Sequence, residues 1–251
     1  MWWVVGLTLM LSIIVPVAPG DDSWQVVLQD FSGQFVQEQL VNCELLFIGS
    51  DEAEMSAIQG EIDNDSAGFN QCARAECAGN SRATAMNAGA QLAVNEFLWF
   101  VHADSRIEAR HIDALKASIR DHPEALHYFD LRFYGHPMMW LNSLGVWLRS
   151  HWLATPFGDQ ALCMTKRDFL RIGAYPEDVA YGEDHALVWH ALQQGIKLRC
   201  TGTALLTSAR KYEQNGWLKT TGLHVGLWAK QAWPEFQLLL KQKVGRQGPD
   251  A

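Results

Sequence analysis

The stretch Phe97-Leu98-Trp99-Phe100-Val101-His102-Ala103-Asp104 decides the fold class. A run of large apolar residues ends abruptly in a histidine and, two positions on, a carboxylate. Such a run reads as a strand buried on both faces, as in the middle of a parallel sheet. In open α/β sheets, ligands lie beyond the carboxyl ends of the strands. Asp104 is therefore expected at the mouth of a site, where a hard cation and its phosphate ligands could meet it. On these residues alone, a strand followed by a polar turn is the better reading.

Working outward, strand and helix signals alternate. Leu11 to Val17 is β-branched and reads as a first core strand. Trp24, Leu28, Phe31 and Phe35 then recur on one helical face. Cys43 to Ile48 predicts a second strand, Ala53 to Ile62 a helix, and Phe69 to Ala75 a short strand. Ser81 to Val94 is alanine-rich and helical, with Asn80 or Ser81 as its cap. Beyond the Phe97 strand come a helix near 109–121 and a strand over 126–133. This βαβαβαβ string argues for a mostly parallel sheet flanked by helices. Pro137 to Trp152 is expected to be helical, Ala161 to Met164 a strand and Lys166 to Ile172 a helix. Glu183 to Gln194 reads as a helix stopped by Gly195, and Lys197 to Cys200 and Ala204 to Thr207 as two short strands. Trp217 to Lys243 is mostly helical in pattern.

Composition narrows the class. The 251 residues are 48% hydrophobic, enough for one α/β domain with an extension, and the net charge of −8 argues against general nucleic-acid binding. The charge is uneven: from Arg210 onward seven Lys/Arg face three acids. A basic end on an acidic body suits a phosphate-bearing ligand or an anionic membrane surface, or simply a solvated helix face. Five scattered cysteines without zinc-like pairs read as reduced thiols, which points to a cytoplasmic protein. Residues 1–9 form an apolar extension that lacks the flanks of a signal peptide. Translation is expected to begin at Met10, with an uncleaved anchor as the alternative.

Several residues could carry chemistry. Arg82-Ala83-x-x-Met86-Asn87-x-Gly89-Ala90 opens a helix, where Arg82 and free amides favour anions, although taken alone an ordinary alanine-rich core helix is the better reading. Gly158-Asp159-Gln160 suits a hydroxyl-rich ligand, and equally a turn. Glu183 and Asp184 begin a helix, where carboxylates favour the dipole, and one of them could serve as a general base. Arg210 and Lys211 follow a late strand and could clamp a phosphate leaving group, or be surface charge.

As an ordered set these motifs, with Ser12-Ile13-Ile14-Val15-Pro16-Val17, His102-Ala103-Asp104-Ser105, Phe129-Asp130-Leu131-Arg132-Phe133 and Thr207-Ser208-Ala209-Arg210, span about four-fifths of the chain. The set resembles the family 2 glycosyltransferases with the GT-A fold, most closely the bacterial subgroup described as radical-SAM/selenodomain-associated transferases. The resemblance implies a GT-A domain over 10–212 and a helical extension over 213–251. It also implies a nucleotide-diphospho-sugar donor, a hydroxyl acceptor and inversion at the anomeric carbon. Asp104 matches the last aspartate of the family's metal-binding DxD motif, with His102 in place of the first, implying Mg²⁺ or Mn²⁺ as cofactor. Asp184 matches the catalytic base, with Glu183 beside it. Pro16, Arg82, Asn87, Arg210 and Lys211 fall on the donor side, and Asp159 and Gln160 near the sugar or acceptor.

Two departures fall in the nucleotide pocket. The family's Asn-Glu pair after the first strand is replaced by Ala18-Pro19-Gly20-Asp21-Asp22. The aspartate after the second strand is missing, or displaced to Asp51, in Phe47-Ile48-Gly49-Ser50-Asp51. They motivate a second reading, a degenerate homologue that binds a nucleotide or glycan, or acts as a scaffold. A sugar-1-phosphate nucleotidyltransferase ranks lower, since Pro16 to Asp22 holds one glycine rather than a glycine-rich phosphate loop. Finally, Trp217, Leu218, Leu223, Val225, Leu227, Trp228, Trp233 and Phe236, beside Lys219 and Lys230, suggest an amphipathic helix. It would pack on the domain or on a second subunit, or lie on the inner face of a membrane.

Overall fold

The computed structural model describes residues 10–36, 40, 42–64, 71–134, 138–179, 182–208 and 217–245. The element order is β1 (Leu11–Val17), α1 (Trp24–Val36), β2 (Glu44–Gly49), α2 (Glu52–Asp63), β3 (Ala73–Cys77), α3 (Arg82–Leu92), β4 (Phe97–Phe100), α4 (Ala109–Asp121) and β5 (Leu126–Tyr134). It continues with α5 (Met139–Trp152), a 3₁₀ turn at Gly158–Gln160, β6 (Cys163–Thr165), α6 (Lys166–Arg171), α7 (Glu183–Gln193), β7 (Leu198–Ser208) and α8 (Trp217–Gly245).

The strands form one seven-stranded sheet in the order β3-β2-β1-β4-β6-β5-β7. All pairings are parallel except those of β6, which runs against both β4 and β5. β1 is buried along its whole length, as a strand with helices on both faces must be. Alternation divides its residues between two cores. Ile13 and Val15 join Phe47, Trp99 and Phe129 under α1, α2 and α4. Ile14 joins Leu46, Leu98 and Phe100 under α3, α6 and α7. The result is a three-layer α/β molecule with its strand ends free to build a site.

Several expectations shift in detail. The third strand begins at Ala73, four residues later than its apolar start suggested, and residues 69 and 70 lie outside the described residues. The two late strands are one, β7, bent at Gly202 (φ +79°), where its register with β5 breaks between Tyr128 and Asp130. Gly195 stands one residue past the cap of α7. Its N–H donates to Leu192 O and that of Ile196 to Ala191 O, satisfying carbonyls the helix leaves open. The C-terminal helix α8 docks on α5 through Asn142 Nδ2 to Thr221 Oγ1 (3.1 Å) and on α7 through Gln193 Nε2 to Glu235 Oε2 (2.8 Å).

Candidate functional site

A cavity of about 260 Å³ opens where β1 and β2 end, between Pro16 to Pro19, Gly49, Ser50 and the start of α3. The start of α3 is fixed by a capping box. Ser81 Oγ accepts from Thr84 N (3.2 Å), and Thr84 Oγ1 accepts from Ser81 N (2.9 Å). That puts Arg82 at the first helical position, on the cavity wall. Helix α3 can lie this close because its face is small. A Cβ on Gly89 would sit 2.5 Å from Ile14 Cγ2 of β1.

Arg82 also reaches the first turn of α7. It forms an ion pair with Glu183, and its Nη2 lies 3.8 Å from Asp184 Oδ2. Both carboxylates are buried, while the arginine side chain is 44% exposed toward solvent. Asp184 Oδ2 accepts from Gly158 N (2.6 Å), and its Oδ1 from His185 N (2.9 Å). Burial alone would raise the Asp184 carboxyl's proton affinity. Arg82 and the two backbone N–H groups outweigh it and hold the group below the ordinary carboxylate range.

Gly158 is the hinge between these parts. A Cβ there would stand 2.6 Å from Asp184 Oδ2 and 3.1 Å from His102 Nε2, so only glycine lets the loop pass. His102 follows β4 and stays half-buried; burial, then the nearby Arg82 cation, lower its proton affinity and keep it neutral. Asp104 is exposed at the turn closed by Ser105 N to His102 O (3.0 Å). Asp159 is pushed up to about 6, by burial first and then by the Asp184 and Asp104 charges, against the pull of Arg149. Its Oδ1 is buried with no hydrogen-bond partner among the described residues.

The structure thus gathers Arg82, His102, Asp104, Asp159, Glu183 and Asp184 beyond the strand ends, with Pro16 in the adjoining cavity. Two other candidates are spent on architecture. Gln160 is fully buried: its Oε1 accepts from Arg149, Ser150 and Phe157, and its Nε2 donates to Phe129 O (2.8 Å). Asn87 exchanges hydrogen bonds with the Tyr175 backbone and donates to Glu177, tying α3 to the segment before α7. Both position the site from behind it. Arg210 and Lys211 lie outside the described residues. The displaced carboxylates also have local work. Asp51 caps α2 by accepting from Glu54 N, and Asp21 accepts from Ser23 at the start of α1. Arg149, which stacks 3.5 Å over the Phe157 ring and holds Gln160, carried no sequence signal beyond being a cation on an apolar helix.

No protein-family profile matches the chain, and no curated protein matches it. Solved structures do. S. aureus TarS 1–349 matches with a TM-score of 0.59 at 15% identity, over 80% of this chain and 60% of that one. The same protein in complex with UDP-GlcNAc gives 0.56 at 15%, over 80% and 58%. Mannosyltransferase PcManGT from Pyrobaculum calidifontis, in complex with GDP-Man and Mn²⁺, gives 0.62 at 17%, over 93% and 68%. The chain therefore spans about 60% of the length of TarS 1–349. At these identities the likeness is one of architecture: with its mostly parallel seven-stranded sheet flanked by helices, the chain has the GT-A fold of those neighbours.

Proposed function

We propose that the chain is an inverting glycosyltransferase, moving a hexosyl-type sugar from a nucleotide-diphospho-sugar to an acceptor hydroxyl. The observation that carries this reading is the bridge made by Arg82, one side on the cavity wall and the other on Glu183 and Asp184. A donor in the cavity brings its diphosphate to Arg82; the family resemblance assigns Arg210 and Lys211, outside the described residues, to the same diphosphate. The diphosphate then competes with Asp184, 3.8 Å from the guanidinium, for that cation, while the tighter pair with Glu183 persists. Losing that cation raises the proton affinity of Asp184, which makes it a better base. In a single displacement the acceptor oxygen bonds to the anomeric carbon as the bond to the diphosphate breaks. The acceptor's proton passes to Asp184, and Glu183 keeps Arg82 in place.

Asp104 lies in the open, two residues beyond neutral His102. Its free carboxylate suits Mg²⁺ or Mn²⁺, which one or two carboxylates hold while phosphate oxygens and water complete the shell. Bound with the donor, such an ion supplies neutralisation of the departing diphosphate. The radical-SAM-associated subgroup and a place at the cytoplasmic face of a bacterial membrane are part of the same reading. That Asp21 and Asp51 are spent on helix starts favours the competing one, a degenerate nucleotide- or glycan-binding homologue.

Calorimetric titration with UDP and GDP, with and without Mn²⁺, separates the two. We expect metal-dependent binding of one nucleotide, lost in Asp104→Asn. Asp184→Asn should keep that binding and lose turnover at least about 10²-fold, the scale of general-base catalysis. No binding by any nucleotide would overturn the transferase reading.

A further inference from the structure

A second cluster lies away from the strand ends, where β5, β7 and the end of α5 meet. We propose that Asp130, His151 and Cys200 form a site for a thiolate-accepting divalent ion of the zinc type. One ligand atom from each of the three lies within 4.8 Å of the others. Zn²⁺ takes nitrogen at about 2.0–2.1 Å, sulfur at about 2.3 Å and carboxylate oxygen at similar range, which at tetrahedral angles separates the ligand atoms by roughly 3.3–3.6 Å. Asp130 Oδ1 and His151 Nε2 already stand 2.9 Å apart. Closing around an ion requires only small side-chain movements and leaves the fourth position to water or a ligand.

The local backbone is built for this juxtaposition. β5 and β7 pair regularly up to Tyr128 and Cys200, then resume at Asp130 and Ala204, so β7 spends extra residues around Gly202. Such bulges re-aim side chains. Here the bulge also turns the Gly202 N–H onto Cys200 Sγ (3.5 Å). On the other side the Trp147 ring lies against the His151 imidazole, centroids 4.9 Å apart and tilted by 30°, fixing its direction. The sulfur distinguishes this site from the Asp104 side. Mg²⁺ and Mn²⁺ prefer oxygen, whereas thiolate and imidazole select zinc-like ions.

An ion here would pin α5 to two strands. Two residues before His151, Arg149 holds Gln160 in the same loop as Gly158 and Asp159. Loading would therefore stiffen the loop that touches Asp184.

The test is cobalt titration of chelator-treated protein freed of any affinity tag. We expect one equivalent of Co²⁺ to give a thiolate-to-metal charge-transfer band with tetrahedral d–d absorption. Cys200→Ser should abolish the charge-transfer band, and Asp104→Asn and Cys77→Ser should leave it unchanged. His151 is on the surface, so His151→Ala should fold and should weaken binding by more than about tenfold, the least that even outer partners of a ligand cost. Absence of the band in the folded parent, or its survival in Cys200→Ser or at full affinity in His151→Ala, would overturn the proposal.

Discussion

Asp159 and Asp184 show how neighbouring carboxylates on one site wall are driven apart. Asp184 has Arg82 and two backbone donors and stays ionised, whereas half-buried Asp159 stands beside other acids and rises to about 6. The buried histidines oppose Asp159 in the pH dependence of stability. Unfolded histidine takes up a proton below about 6.5, but His127 and His185 resist until about 4, because burial disfavours the cation. Their contribution is full above the unfolded value and is lost as pH falls toward 4. Asp159 contributes stability below its unfolded value of 3.8 and loses it as pH rises through about 6. We expect the urea midpoint to fall between pH 7 and pH 5. Asp159→Asn should raise the midpoint at pH 7 and steepen the fall; an unchanged slope would show that Asp159 titrates normally. Gly158→Ala probes the same wall, since its methyl would meet the Asp184 carboxylate at 2.6 Å. Relieving that contact takes a shift of about 1 Å, which should cost about 10²-fold in turnover and about 1–3 kcal/mol of stability. Nucleotide binding, measured by titration, should be nearly unchanged.

At the scale of elements, α3 depends on its small face more than on its length. Gly89→Val would drive a branched side chain into Ile14 and Ile48, whose atoms lie 2.5 and 3.2 Å from the added Cβ position. Overpacking of this kind costs about 1–3 kcal/mol, and because Arg82 rides on α3, donor affinity should fall with the melting temperature. A variant as stable as the parent would mean that α3 can lift freely from the sheet. The alanine-rich pattern announced this helix, and the apolar runs of β1, β2 and β4 were equally legible, because strands buried on both faces need near-continuous apolar side chains. Direction and continuity were less legible. The Ala161 to Met164 run reports burial, but nothing in it says that β6 runs backward. The gap between Cys200 and Ala204 reads as a break between strands, although the chain only bulges there. The site was legible as residue types and order. The pairing of Arg82 with Glu183, 101 positions apart, follows from no periodicity. An amide such as Gln160 or Asn87 has the same chemistry whether it faces a ligand or holds a loop, so only the fold separates those roles.

For the whole molecule, the uneven charge and the uneven surface coincide. Trp140, Leu144, Trp147 and Leu148 recur on one exposed face of α5, with Trp152 (76% exposed) at its end. Helix α8, joined to α5 at Asn142 and Thr221, exposes Leu223, Trp233 (64%), Phe236 and Leu238, with Lys219 and Lys230 also exposed. No helix among the described residues is long and apolar enough to cross a membrane. Aromatic residues beside lysines suit the interface between headgroups and acyl chains instead. The acidic body would be repelled from anionic lipid while the basic end is drawn to it at about 1 kcal/mol per cation, which orients the molecule. Association with anionic vesicles at low salt is therefore expected, weaker with neutral vesicles and reduced as salt screens the lysines. Replacing Trp152 and Trp233 together by alanine should lower the bound fraction several-fold without changing the melting temperature, since both side chains are largely in solvent. Flotation through a density gradient measures this directly. Parent protein that stays wholly with the soluble fraction at low salt would exclude the membrane orientation. It would leave the aromatic face as a surface for another protein or for the acceptor itself.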